Sequence, residues 1–384
     1  MTLIGTLRRI DRALHARRGT RQVLVDSRTP VNYEMVAAVV RAMASDPRVR
    51  FAFTASRDVR RLREIYRDAG DQWLVTPARA ALMKWDVYLT SDFLWASLPR
   101  GTTRIQMFHG VAGKYGFDAP DRSMRDWDRL FFVNERRLRN FIAAGAIDRD
   151  SPAARLIGMP KVDCLVDGTL RRDSVLRSFD LDPARPTVLY APTWSPASSL
   201  NRMGVELLRE LAALPINLVV KLHDRSRDPR PQYSGGIDWV ARLRPVLPPG
   251  RGMLALHANI APCLVAADVL ITDHSSCGFE YMLLDRPLVR IELPDLLAQA
   301  NVHPDYVELL ANAALNARDV EATVTAVERA LAHPRELSAE RQAVARDLFY
   351  QPGTATARCA AALYEAMDLE PHASVCGEAE PCVA

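Results

Sequence analysis

Short apolar runs alternate with helix-length segments along almost the whole chain, and no other feature restricts the fold as strongly. In the first half the strand candidates are QVLVDS (22–27), FAFTAS (51–56), WLVT (73–76), DVYLTS (86–91), RIQMFHG (104–110) and LFFVN (130–134). In the second they are TVLYAPTW (187–194), INLVVKLH (216–223), MLALH (253–257), DVLITD (268–273) and PLVRIEL (287–293). Helical patterns fill the gaps near 34–44, 57–69, 201–213, 259–266, 277–284 and 319–332. Two more helices are expected within 338–367, the second starting near Thr354. Strand and helix in alternation argue for parallel βαβ units, so the expected class is α/β with two doubly wound halves. The polar, proline-ended stretch DGTLRRDSVLRSFDLDPARP (167–186) reads as the boundary. This gives an N-terminal helix over 1–18, one domain over 19–168, a second over 169–335, closing helices over 336–369 and a disordered tail over 370–384. Ligands of such sheets bind at the C-terminal ends of the strands.

A chain of 384 residues, 48% hydrophobic, is long enough for two such domains. It holds no run of eighteen apolar residues, so no membrane-spanning segment is expected. The N-terminus lacks the apolar core and small-residue cleavage site of a secretory signal, which points to the cytoplasm. Residues 1–67 carry fifteen arginines against six acids, a basic region suited to anionic lipid or a phosphorylated substrate. Nucleic acid is not an expected partner: aromatics are 7% of the chain and no nucleic-acid-binding motif is present. Leu3, Leu7, Ile10 and Leu14 share one helical stripe while Arg8, Arg9 and Arg12 point away. That pattern suits a helix lying on an anionic bilayer and equally one packed on its own domain. The six cysteines are scattered without metal-binding spacing.

The chemistry-bearing residues gather at strand ends. His109, His223 and His274 each directly follow an apolar run, where an imidazole can exchange a proton or, when charged, hold phosphate. Only four lysines occur, and two of them, Lys114 in HGVAGK and Lys221 in KLH, adjoin these histidines. A compact ammonium suits a phosphate oxygen. The glycines of FHGVAGKYGF, Gly110 first among them, permit close backbone approach to a ligand, but the spacing is neither a dinucleotide nor a Walker fingerprint. APTW exposes Thr193 and Trp194 where a strand ends, as would an ordinary turn. Thr272, Asp273, His274, Ser275 and Ser276 stand where an apolar strand gives way to a helical pattern. They could cradle a phosphate on free N–H groups, or simply cap the helix. No strand-ending aspartate pair suggests a divalent metal, so no essential metal or other cofactor is expected.

MFHG…K, LYAPTW, VVKLH and ADVLITDHSSCGFEYMLLDRP, in this order, resemble the CDP-glycerol glycerophosphotransferase family of teichoic acid polymerases and primases, over roughly residues 85–300. The resemblance implies a GT-B fold, two Rossmann-like domains facing across a cleft. It also implies transfer of an alditol phosphate from a CDP-activated donor to a hydroxyl of a lipid-linked or glycan acceptor, with release of CMP. On it, His109 matches the base and His223 a second histidine that contacts the donor phosphates. Thr272, Ser275 and Ser276 match the helix start that holds the pyrophosphate, and Glu280 a carboxylate near the ribose. The implied partners are CDP-glycerol or a related donor, the acceptor, and an anionic surface at the inner face of the cell membrane. Three departures stand out: HGTP is His109-Gly110-Val111-Ala112 here, KLHP is KLHD, and DYSS is DHSS. The alternative on the same fold is a glycosyltransferase using a nucleotide-sugar donor.

Overall fold

A computed structural model describes Thr6, Asp11 and residues 19–69, 73–114, 122–373 and 375. The apolar stripe Leu3, Leu7, Ile10 and Leu14 lies outside them, as do Cys376 and Cys382. The chain forms two compact units. The first comprises residues 1–109, 120–163 and 349–384, and the second residues 110–119 and 164–348. Among the described residues no helix is long and apolar enough to cross a membrane.

The first unit is built on a seven-stranded sheet of β1 (Arg21–Asp26), β2 (Val49–Thr54), β3 (Trp73–Leu74), β4 (Val87–Thr90), β5 (Thr103–Met107), β6 (Arg129–Phe132) and β7 (Ala154–Leu156). Its order is β3-β2-β1-β4-β5-β6-β7 and every pairing is parallel. The second unit has β8 (Thr187–Tyr190), β9 (Asn217–Lys221), β10 (Gly252–Ala255), β11 (Val269–Thr272), β12 (Leu288–Ile291) and β13 (Leu315–Ala317), in the order β10-β9-β8-β11-β12-β13, again all parallel. Both sheets are Rossmann-like. The winding direction reverses between β1 and β4 in one and between β8 and β11 in the other. There the connections leave on opposite faces and open a crevice at the strand ends.

Central strands such as VYLT, TVLY, NLVVK, VLIT and LVRI are buried at every residue, which explains why they read as apolar runs and not as alternating patterns. In the second unit Val188, Leu218, Val269, Ile271 and Val289 meet Leu207, Leu208 and Leu211 of the helix Ser199–Ala213 and Val327 of the helix Val320–Ala332. In the first unit Tyr33 of the helix Pro30–Met43 meets Phe53 and Tyr66 edge to face and those two rings lie tilted on each other, with centroids 5.0–5.7 Å apart.

Several segments differ from the sequence reading. The stretch read as a polar linker contains a helix, Arg172–Ser178, which buries Val175 and Leu176. Its charge is used rather than solvated: Arg172 holds Asp268 through two bonds of 3.0 and 2.7 Å. Residues 57–69 break into two 3₁₀ turns and the single helical turn Leu62–Ile65. β13 and the helices Glu135–Ala143 and Pro304–Asn312 had no assignment in the sequence reading. The closing helices belong to different units. Ser338–Leu348 stays with the second, where the buried Arg341 lies 3.1 Å from Asp285. Ala355–Ala366 returns to the first, because Asp163 accepts from the N–H groups of Gly353 (2.7 Å), Ala355 (3.2 Å) and Thr356 (2.6 Å) at its start.

A carboxylate that satisfies three N–H groups at a helix N-terminus is a strong cap. Asp163→Ala is expected to destabilise the first unit by about 2 kcal/mol or more. Urea unfolding followed by far-ultraviolet circular dichroism measures this; an unchanged midpoint would show that the cap does not hold the C-terminal helix.

Candidate active site

At the switch point of the second unit the organising group is Asp273, just beyond β11. One oxygen accepts from Thr193 N (2.8 Å), the other from Ser199 N (3.2 Å) and Ser199 Oγ (3.0 Å). Tyr190 OH lies 2.8 Å from Ser199 Oγ, and Thr272 Oγ1 donates to Ala191 O at 2.7 Å. Asp273 and Thr272, both 0% exposed, therefore lock the end of β8 to the end of β11 and present nothing to solvent. Glu280 is also buried, within the helix Ser276–Tyr281.

Ser275 and Ser276 are different. Both are partly exposed, and Ser275 stands at the N-cap position with extended backbone angles but makes no side-chain cap bond. An ordinary N-cap would spend that hydroxyl on the first turn. The segment from Gly110 to Lys114 packs against this helix start. A Cβ on Gly110, which has φ +69°, would sit 3.1 Å from Ser276 Oγ. One on Gly113, with φ +59°, would collide with the Tyr306 ring. Gly113 O accepts from His303 N at 2.9 Å. Lys114 Nζ ends 2.9 Å from Thr193 Oγ1. Burial pushes this ammonium down to about 8, against the pull of the Asp273 carboxylate.

His274 is buried, and its Nε2 lies 2.9 Å from Ala112 O. A carbonyl only accepts, so Nε2 carries the proton. Burial pushes the ring down to about 3, with Lys114 adding to the effect, so the imidazole is neutral at pH 7. It pins the Gly110–Lys114 segment and brings no positive charge for a phosphate, contrary to the sequence expectation for a strand-end histidine.

β9 delivers the remaining candidates. Lys221 is buried and donates to Leu222 O at 2.9 Å. His223 is partly exposed, with Nδ1 2.6 Å from Asp224 Oδ1. Burial pushes the Asp224 carboxyl up, but the His223 ring and the N–H of Arg225 outweigh it and hold the group below the usual carboxylate range. The residue that replaces proline in KLHD is thus a carboxylate partner for the histidine. Arg225, absent from the sequence candidates, lies 4.3 Å over the Trp194 ring and 5.4 Å over Tyr233, beside His223. Its only sequence signal was its place two residues beyond the KLH motif.

In the first unit His109 follows Phe108, which stacks at 4.7 Å on Phe132 and meets Phe141 edge-on at 5.0 Å. This aromatic anchor fixes where the next residue can go. His109 Nδ1 is hydrogen-bonded to Ser91 O beyond β4. Nδ1 must therefore hold the proton, and Nε2 is the basic nitrogen of the neutral ring. Burial pushes the imidazole below its usual range, opposed by the Asp92 carboxylate and reinforced by Arg137 and Lys161. Asp92, Arg137 and Lys161 were not among the sequence candidates. Among the described residues no three His, Cys, Asp or Glu side chains converge as a metal site.

The family model for CDP-Glycerol:Poly(glycerophosphate) glycerophosphotransferase matches residues 21–365. The chain belongs to this family. Its members are CDP-glycerol glycerophosphotransferases, and this chain is an enzyme of that class. No curated protein matches the chain. Among solved structures it is similar to the wall teichoic acid polymerase TagF, with 14% identity, TM-score 0.69, and 95% of this chain and 94% of that chain covered. A TagF structure soaked with CDPG is similar at 14% identity and TM-score 0.65, with the same coverage. A putative UDP-N-acetylglucosamine 2-epimerase from Listeria monocytogenes follows at 14% identity and TM-score 0.56, covering 91% of this chain and 98% of that one. At these identities the likeness establishes the fold; the family model establishes the family.

The buried neutral His274 predicts a pH signature. Unfolded, the ring titrates near 6.5; folded, near 3. Between those values the unfolded chain binds a proton that the folded chain does not, so stability falls as pH falls through that window. His274→Gln keeps an N–H for Ala112 O and removes the titration. The variant is expected to lose less stability from pH 7 to pH 5 than the parent, by up to about 1 kcal/mol per pH unit. Urea midpoints at pH 7, 6 and 5 test this, and parallel losses in the two proteins would refute it.

Proposed function

We propose that the chain transfers glycerol phosphate from CDP-glycerol to a hydroxyl of a lipid-linked or glycan acceptor, with His109 as the general base. The acceptor proton passes to His109 Nε2, the acceptor oxygen bonds to the phosphorus that carries glycerol, and the phosphoanhydride bond breaks to release CMP. The observation that carries the assignment is the convergence at the β8/β11 switch point of the Lys114 ammonium, Thr193 and the uncommitted N-cap hydroxyl of Ser275. A helix start and an ammonium offer the N–H groups and the charge that a diphosphate and its leaving group require. Gly110 lets the crossing segment lie close to Ser276. His223, oriented by Asp224, is assigned to the donor phosphates and Glu280 to the ribose side. In this reading Thr272, Asp273, His274 and Lys221 shape the site from beneath.

The reading assigns charge stabilisation to Lys114, His223 and backbone N–H groups, with no essential metal and no other cofactor. Asp273, the carboxylate beside Lys114, supports this, since both its oxygens are committed to protein donors. The stripe of Leu3, Leu7, Ile10 and Leu14 with its arginines supports a peripheral location on the inner face of the membrane, where a lipid-linked acceptor would lie.

The first test is thermal stabilisation by CMP, CDP-glycerol, CDP-ribitol, UDP and UDP-sugars, with and without EDTA. A cytidine ligand at a hundredfold over its Kd is expected to stabilise by about 2.7 kcal/mol, unaffected by EDTA. A preference for uridine compounds would instead favour a glycosyltransferase. With CDP-glycerol and an acceptor glycan, His109→Ala and His223→Ala are each expected to lower turnover by about 10²-fold or more. Wild-type turnover in both would overturn the assignment of roles. As Lys114 loses its proton, kcat/KM for the donor should fall above about pH 8. Cosedimentation with vesicles containing anionic lipid, compared between the full chain and one lacking residues 1–18, tests the membrane assignment; equal binding would remove it.

A further inference from the structure

The first unit holds a carboxylate beside His109 that lies outside the sequence motifs described above. Asp92 follows β4 by two residues and is 7% exposed. Its Oδ1 lies 4.0 Å from His109 Nε2 and its Oδ2 lies 2.7 Å from Arg28 Nε, beyond the end of β1. The three side chains thus line the β1/β4 switch point of the first unit, the counterpart of the place where the second unit gathers Lys114 and Thr193. The backbone around Asp92 is built for this position. Phe93 adopts φ +51°, and its N–H donates to Gln106 Oε1 at 2.9 Å, while Gln106 Nε2 donates to Met107 O at 2.9 Å. One buried amide side chain therefore ties the Asp92 loop to the strand that carries His109.

We propose that Asp92 is a positioning residue that sets the basicity of His109, and that Arg28 limits its effect by sharing the carboxylate. The inference rests on the assignment of His109 as the base. When the ring takes the acceptor proton at Nε2, the new charge forms 4.0 Å from a buried carboxylate, which stabilises it. A fully available carboxylate would keep the ring protonated before the acceptor binds, and a protonated ring accepts nothing. Arg28, with its side chain 41% exposed, neutralises part of that field. The other groups that bear on the pair are Arg137 and Lys161, which disfavour the imidazolium, and Asp26, whose own carboxyl is pushed up by burial and further by the charge of Asp92. Asp26 is itself held by Ser56 N (3.0 Å) and Tyr88 OH (2.8 Å), bonds that do not involve Asp92.

The experiment is the titration of the His109 ring by NMR in the full chain without substrate, with the signal assigned by its loss in His109→Gln. Asp92→Asn is expected to move the midpoint down by about one pH unit, and Arg28→Gln to move it up by a similar amount. The acidic limb of kcat/KM should move in the same directions. An Asp92→Asn midpoint that stays in place or rises overturns the proposal, because a carboxylate with only a structural role leaves the titration unmoved. If Asp92→Asn fails to fold, Arg28→Gln decides: an upward shift supports the proposal and an unmoved midpoint overturns it. Full turnover in His109→Gln would remove the base assignment and with it the catalytic meaning of the carboxylate. The NMR shifts alone would still establish or refute the electrostatic link, so the two failures are distinguishable.

Discussion

The switch point of the second unit depends on one buried carboxylate. Asp273 takes an N–H from Thr193 and both an N–H and a hydroxyl from Ser199, so the ends of β8 and β11 and the start of the helix Ser199–Ala213 share one anchor. A carboxylate buried at the end of a strand is costly unless its oxygens are hydrogen-bonded, and here they are. Thr193 is thereby set where Lys114 reaches it, and the next two residues of the chain, His274 and Ser275, are sent in opposite directions. His274 turns inward to hold Ala112, and Ser275 stays at the surface with its hydroxyl uncommitted.

The first unit repeats the arrangement with different chemistry. Its strand order matches that of the second unit with one strand added, and Asp26 at the end of β1 is likewise buried and bonded by neighbours, Ser56 and Tyr88. Burial pushes the Asp26 carboxyl up, and the nearby Asp92 adds to that effect. Two acids, Arg28 and His109 therefore share one switch point, while the second unit collects an ammonium and hydroxyls. A fold that opens a crevice at each strand-order reversal provides two such places in one chain, one fit to receive a proton and one fit to hold anionic oxygens.

Two of the three departures from the family motifs have structural counterparts. Asp224, in place of proline, faces His223 Nδ1 at 2.6 Å. His274, in place of tyrosine, meets Ala112 O, and Ala112 itself belongs to the altered HGVA segment. The histidine at 274 thus reaches the main chain of the altered segment through one hydrogen bond to a backbone carbonyl 162 residues away. The place of His274 in that bond is not visible from its own motif, and nothing in the structure explains the alanine at 112.

The order of strands and helices, the family and the strand-end histidines were legible because burial on both faces forces apolar runs, and because glycine and polar residues are tolerated only where those runs stop. The sequence could not distinguish residues that face a ligand from residues that build the wall behind it. Thr272, Asp273, His274, Ser275 and Ser276 are adjacent and all polar, yet only the serines keep exposure, because the hydrogen bonds that bury the others come from residues about eighty or more positions away. Asp92 and Arg28 were invisible for the same reason. Each is an ordinary loop charge until the sheet brings β1, β4 and β5 side by side. Local pattern along the chain is enough for the class of fold, the family and the types of side chain at the strand ends. Which of those side chains remain available follows from the folded arrangement, since hydrogen-bond satisfaction and burial are set by distant partners that no local pattern encodes.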